Sequence, residues 1–139
     1  QGYRNFAYIF SKKILEIYNE YFKDYVIVPV PPRPNKIKNQ GWDQINDLMN
    51  FLRKISNIKI VNLLERTESV QQKKLNRNQR LANKESYVVK KKYLKTKLPS
   101  KIVIVDDIIT TGVTLENCAI ALKNLGVNTV CAITLFIAD

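Results

Sequence analysis

Two adjacent carboxylates, Asp106 and Asp107, follow four apolar residues, Ile102, Val103, Ile104 and Val105, and precede Thr110, Thr111, Gly112, Val113 and Thr114. The apolar run reads as a buried strand, so the acids fall at its carboxyl end, where open α/β sheets place ligands. Paired carboxylates there accept hydrogen bonds from neighbouring hydroxyls, as on a ribose. Gly112 lets the backbone turn closely around a ligand. The loop amides, the threonine hydroxyls and the start of a following helix make an anion site. Diol recognition beside phosphate recognition describes a sugar phosphate. Taken singly, each piece has a plain structural reading: an acidic loop start, or a turn with Thr114 as helix cap. It is the ordered combination over thirteen positions that points to a ligand.

The elements that must hold this segment are legible from periodicity. Phe6, Phe10, Ile14, Ile17 and Tyr21 recur at helical spacing. Tyr25 to Val30 is a short apolar run of the kind found in buried parallel strands. Pro31 to Gly41 is a loop, and Ile45, Leu48, Met49, Leu52 and Ile55 mark a second helix opening near Asp43. Ile58 to Leu64 reads as a strand and Tyr87 to Val89 as another. Leu115, Cys118, Ala119, Leu122 and Leu125 face one way on a third helix, with Gly126 at its C-terminus. Thr129 to Phe136 is a last β-rich run. The order is largely β-α-β-α-β, which predicts an α/β fold with a mainly parallel sheet flanked by helices on both faces. Residues 65–101 form a basic, flexible loop and hairpin region inside a single domain spanning 1–139. Because the chain opens on Gln1, a preceding N-terminal segment is an expectation.

Composition narrows the chemistry. The chain has 139 residues, 45% of them hydrophobic, enough for one buried core. It has no histidine and two cysteines, Cys118 and Cys131, outside any CxxC pair. Histidine-based acid–base catalysis and Ser-His-Asp triads are excluded, and a protein-held zinc site lacks its usual ligands. Both cysteines read as small core residues. No apolar run reaches the length of a membrane span, and the expected location is the cytoplasm. The net charge of +11 favours polyanionic partners.

The run Ile102 to Thr114 resembles, at every position, the signature by which type I phosphoribosyltransferases bind phosphoribosyl pyrophosphate (PRPP). That resemblance implies that Asp106 and Asp107 hold the ribose 2′- and 3′-hydroxyls and that Thr110, Thr111, Gly112, Val113 and Thr114 cradle the 5′-phosphate. It also implies Mg²⁺ held mainly through PRPP and water, with no direct protein ligand. Val28-Pro29-Val30-Pro31 with Gly41-Trp42-Asp43-Gln44, then Leu64, Arg66, Ser69, Gln72, Leu75, Arg80 and Asn83, resemble the ComF/ComFC (competence protein F) branch. Gln40 and Asp43 depart from it, standing where the branch usually has Arg and Asn. Thr110 stands where purine-salvage relatives carry an Asp near the base, which counts against that role. The cysteine-rich zinc segment frequent in the branch is not visible.

Transfer from PRPP passes through an oxocarbenium-like state while pyrophosphate gathers negative charge, so cation placement and water exclusion matter. Arg33, Lys36 and Lys38, with the backbone near Gly41, are the pyrophosphate candidates. Glu65 to Lys84 is the candidate lid. Arg66 and Arg80 fit the family spacing and join Asp106 and Asp107 as catalytic candidates, whereas Lys73, Lys74 and Arg77 read as surface charges. Trp42 fits base stacking or packing at a helix start. Three functions are compatible: a phosphoribosyltransferase with an unknown acceptor, a single-stranded-DNA-binding competence factor working with the DNA-uptake machinery, or a PRPP-sensing regulator without turnover. A homodimer is compatible with each.

Overall fold

The computed structural model describes residues 2–32, 44–67, 86–109 and 112–137. Helix α1 (Gly2–Tyr21) leads through a short turn into strand β1 (Val26–Pro29). Helix α2 (Gln44–Ile55), strands β2 (Leu64–Thr67) and β3 (Ser86–Val89), strand β4 (Lys101–Ile109), helix α3 (Val113–Lys123) and strand β5 (Thr129–Ile137) follow. A single 3₁₀ turn, Lys91–Tyr93, lies between β3 and β4.

Strands β1, β4 and β5 form a parallel sheet in the order β1-β4-β5, and β2 and β3 pair antiparallel apart from it. The sheet divides the core by strict alternation. Ile27, Val103, Val105 and Ile133 face one layer with Ala7, Ile14 and Tyr18 of α1 and Ile45, Leu48, Met49 and Leu52 of α2. Val28, Val30, Ile102 and Ile104 face the other, with Cys118 and Leu122 of α3 and Leu63, Leu64, Tyr87 and Val89 of the β2–β3 hairpin. Adjacent residues of a strand point to opposite faces, so the unbroken apolar run Ile102–Val105 is what a sheet covered on both sides requires. The predicted class, parallel β with helices on both faces, is the observed one.

Several boundaries differ from expectation. Ile58–Leu64 is not one strand: Ile60 makes a single parallel bridge to Ile27, and regular pairing starts only at Leu64, the first residue of β2. Glu65–Thr67, expected in a loop, extend that hairpin strand. The rest of the expected lid, residues 68–84, lies outside the described residues, as does Asp43, the expected start of α2. Strand β4 does not stop at Val105 but runs to Ile109, because β5 stays alongside it as far as Ile109↔Ile137. On α1 the inward tyrosine is Tyr18, while Tyr21 is 66% exposed. The Tyr18 hydroxyl reaches the carbonyl oxygens of Lys23 (2.9 Å) and Tyr25 (2.8 Å) and so ties α1 to the start of β1. Burial, with the Asp24 charge adding, pushes that hydroxyl above the ordinary tyrosine range.

Pro29 sits inside β1 without disturbing the sheet. The Ile27 N–H donates to Lys59 O and the Val61 N–H to Ile27 O, so Ile27 bonds toward the Ile60 side, and the Val30 N–H donates to Val105 O. Alternation then turns Pro29, like Ile27, toward the Ile60 side. Its missing N–H therefore removes no bond to β4. Gly126 takes φ +96 behind α3, and the Val127 N–H returns to Leu122 O (3.2 Å), the expected helix stop. Among the described residues no helix is long and apolar enough to cross a membrane.

Candidate functional site

The carboxyl ends of β1 and β4 part company, and Asp106 and Asp107 stand where they do. The Val30 N–H is the last bond from β1 to β4, made to Val105 O at 2.9 Å. Pro31 and Pro32 have no N–H to continue the ladder. From β1 the chain goes on to α2, which packs on the Val103–Val105 face. From β4 it goes on to α3, which packs on the opposite, Ile102–Ile104 face. Neighbouring parallel strands whose helices leave to opposite faces define a topological switch point, and the crevice outside their carboxyl ends is the preferred ligand position in open α/β sheets.

At this point Asp106 and Asp107 have different surroundings. Asp107 is 8% exposed, with Ser11 one of two buried polar side chains among the described residues, and Asp106 is half-buried. Val105 bonds toward β1, so alternation turns the Asp107 N–H toward the side that β1 has left. The Oδ1 of Asp106 accepts that N–H at 2.8 Å. The bond draws the Asp106 carboxylate along the strand toward the switch-point crevice rather than leaving it squarely on the α3 face. Hydrogen bonding of this kind satisfies a backbone donor that the departed strand no longer serves.

Gly112 closes the turn from β4 into α3. Its φ of 81° and ψ of −1° are left-handed values that a side chain would strain. It is the residue preceding the first helical turn, and the Glu116 N–H makes the first helical bond to its carbonyl at 2.9 Å. Thr114 is thus inside the first turn and is not the cap. Only residues 110–112 separate Ile109 from Val113, so the positive end of the α3 dipole stands at the same sheet edge as the two carboxylates. Val113 is exposed and Thr114 half-buried.

The remaining sequence candidates divide by position. Arg66, half-buried on β2, lies in register with Tyr87 of β3, on a hairpin separate from the parallel sheet. Thr110, Thr111, Arg80, Arg33, Lys36, Lys38 and Gly41, together with Trp42, lie outside the described residues. Among the described residues no three His, Cys, Asp or Glu side chains cluster as a metal cage. Two carboxylates at one strand end fit a Mg²⁺ that arrives on phosphate oxygens and keeps several waters, the usual habit of that ion. Sequence reasoning missed the contribution of Val30, Pro31 and Pro32, which open the crevice. The Pro-Pro pair, unable to extend a ladder, was the available signal.

Known proteins agree with this architecture. The phosphoribosyl transferase domain family matches residues 51–139, from within α2 to the end of the chain. Competence protein ComFC of Streptococcus pneumoniae (strain ATCC BAA-255 / R6) is 29% identical over 105 residues, which is 76% of this chain and 44% of the relative. The chain therefore spans less than half of that relative's length. A structure of Trypanosoma cruzi hypoxanthine phosphoribosyl transferase superposes with a TM-score of 0.53 over 97% of this chain and 64% of that one, at 12% identity. That likeness concerns the fold. The chain belongs to the phosphoribosyl transferase domain family, and within it resembles ComFC.

Proposed function

We propose that this protein binds PRPP in the β1–β4 crevice and transfers its phosphoribosyl group to an acceptor. The observation that carries the reading is the convergence of Asp106, Asp107 and the Gly112 helix start on one switch point. In this reading Asp106 and Asp107 accept hydrogen bonds from the ribose hydroxyls, and the 110–114 segment receives the 5′-phosphate. Mg²⁺ bound through PRPP would neutralise charge on the departing pyrophosphate. The bond from C1 to the pyrophosphate oxygen breaks, a nucleophilic atom of the acceptor bonds to C1, and that atom gives up a proton. Charged hydrogen bonds to the hydroxyls fix the ring while positive charge develops beside them, so the protein works by orientation and electrostatics. Arg33, Lys36, Lys38 and Gly41 are proposed to face the pyrophosphate, and Arg66 and Arg80 to reach it from the hairpin side.

A pyrophosphate-release assay with Mg²⁺, PRPP and a panel of nucleophilic bases and amines tests the transfer step. Release that requires both PRPP and one acceptor supports it. PRPP binding without release from any acceptor favours a PRPP-responsive regulator instead.

A second reading, binding of single-stranded DNA in competence, draws on a different end of the molecule. Lys91, Lys92, Lys95, Lys97 and Lys101 are exposed on the connection into β4, at the amino edge of the sheet. Helix α3 runs back to the same edge and ends on exposed Lys123. Polyanion binding there leaves the carboxyl-edge crevice open to PRPP. Affinity for single-stranded oligonucleotide should fall steeply with salt, and undetectable binding at low salt removes this reading.

A further inference from the structure

The connection from β3 to β4 is a basic turn with one aliphatic side chain held outward. Residues 90–101 read KKKYLKTKLPSK, with no acid and no arginine. The turn is fixed from within. The Tyr93 N–H donates to Lys90 O (2.9 Å), the Leu94 N–H to Lys91 O (3.1 Å) and the Thr96 N–H to Tyr93 O (3.1 Å). The Thr96 hydroxyl donates to that same Tyr93 carbonyl at 2.8 Å. Tyr93 and Leu98 anchor the turn inward, packing in the core layer of Ala121 and Leu122 of α3. Leu94 is 52% exposed and stands among exposed Lys91, Lys92, Lys95 and Lys97. The end of α3 lies alongside. The Asn128 and Thr129 N–H groups both donate to Ser100 O at 3.0 Å, which brings the α3–β5 turn, with exposed Lys123 and Leu125 before it, to the same edge.

We propose that this turn seats the protein on an anionic lipid surface, with Leu94 entering the headgroup layer and the lysines facing lipid phosphates. Elements that lie on a bilayer without spanning it join apolar side chains to a lysine-rich polar face. Both components are present on this one internally bonded turn. An exposed leucine gains by leaving water, and each lysine near an anionic surface adds roughly fivefold in affinity. The same lysines serve the single-strand reading, and three details set a bilayer ahead of a strand. The aromatic ring of the turn, Tyr93, is half-buried in the core layer and has Lys92 Nζ 5.1 Å from its centroid. It is a poor platform for the base stacking that single-strand binders use. The cations are all lysine, strongly hydrated point charges, whereas arginine forks onto nucleic-acid phosphates. A sugar-phosphate backbone gives Leu94 no apolar partner. A bilayer at the amino edge leaves the crevice at the carboxyl edge uncovered, so the inference does not rest on PRPP binding and can fail or hold independently of it.

Vesicle co-sedimentation is the test, with vesicles of phosphatidylcholine alone and of equal parts phosphatidylcholine and phosphatidylglycerol. The wild type is expected to sediment with the anionic vesicles only, and to come off as salt shortens the Debye length from about 8 Å toward about 3 Å. Lys91→Gln/Lys92→Gln/Lys95→Gln should bind at least about tenfold more weakly. Leu94→Ser keeps every charge and should also bind more weakly, because the apolar contact is gone. All four side chains are exposed, so both variants should keep a native circular dichroism spectrum. If either fails to fold, relaxation of the wild-type Leu94 amide by spin-labelled lipid decides the matter, and its absence overturns the proposal. So does a wild type that binds neither vesicle or both alike, or a folded variant of either kind that binds anionic vesicles as tightly as wild type. A single-stranded oligonucleotide that binds more tightly than the anionic vesicles and is lost in the lysine variant gives the turn to nucleic acid and also overturns it.

Discussion

Asp106 has two separable tasks, one structural and one proposed for the ligand. Its Oδ1 holds the Asp107 amide, and its charge is proposed to hold a ribose hydroxyl. Asp106→Asn keeps an acceptor oxygen but loses the charge. It should leave stability within about 0.5 kcal/mol, as for changes that keep their hydrogen bond. It should weaken PRPP at least about tenfold, the loss of one charge-assisted hydrogen bond of roughly 1.5–3 kcal/mol. Asp106→Ala should lose both, with about 1–3 kcal/mol off the urea-unfolding free energy for the stranded amide. Gly112→Ala places a Cβ on a φ of 81° and should cost about 1–2 kcal/mol, measurable in the same titration. Tyr18 offers a pH test. Its hydroxyl titrates above 10.0 in the fold because burial disfavours the phenolate, with Asp24 adding. Its contribution is therefore complete below pH 10.0 and is lost as pH rises through the raised folded value. Tyr18→Phe should lose roughly 1 kcal/mol near neutrality and should then fall off less steeply than wild type under alkali.

At the scale of elements, the sequence was most legible where period and burial agree. Ile45, Leu48, Met49, Leu52 and Ile55 were expected on one helix face; the first four are buried, and Ile55, the last residue of α2, is exposed. Ile102–Val105 was expected as a two-sided strand and is one. The reading failed where partners, not propensity, decide length. Ile58–Leu63 looked like strand, yet its pairing is limited to the single Ile60 bridge to Ile27 and scattered bonds from Lys59, Val61 and Leu63, too few for a ladder. Ile108 and Ile109 looked like loop because Asp-Asp reads as a stop, but β5 carries the pairing on. Tyr21 and Tyr18 are near-equals by sequence, and the carbonyls of Lys23 and Tyr25 choose Tyr18. The two cysteines behave as expected of small apolar residues: Cys118 is buried on the sheet-facing side of α3, and half-buried Cys131 of β5 packs in the opposite core layer. Leu52→Ala, at a fully buried contact between α2 and the sheet, should cost about 2–5 kcal/mol in urea unfolding.

At the scale of the whole molecule, the described residues set the two carboxylates and a cluster of exposed lysines at opposite edges of the sheet. The carboxylates and the α3 dipole stand at the carboxyl edge of the sheet. The exposed lysines of the Lys90–Lys101 connection stand at the amino edge. The acidic half of the candidate site could be proposed from sequence because both carboxylates and Gly112 lie in one contiguous stretch. The crevice was not, because it arises from two helices packing on opposite faces, a relation between elements distant in sequence. The most direct measurement is calorimetric titration of PRPP with Mg²⁺ into wild type and into Asp106→Asn/Asp107→Asn. Two lost charge-assisted hydrogen bonds predict an affinity at least about 100-fold weaker in a double variant with a native circular dichroism spectrum. Equal affinity in that folded variant would contradict the assignment of the switch-point carboxylates to the ribose.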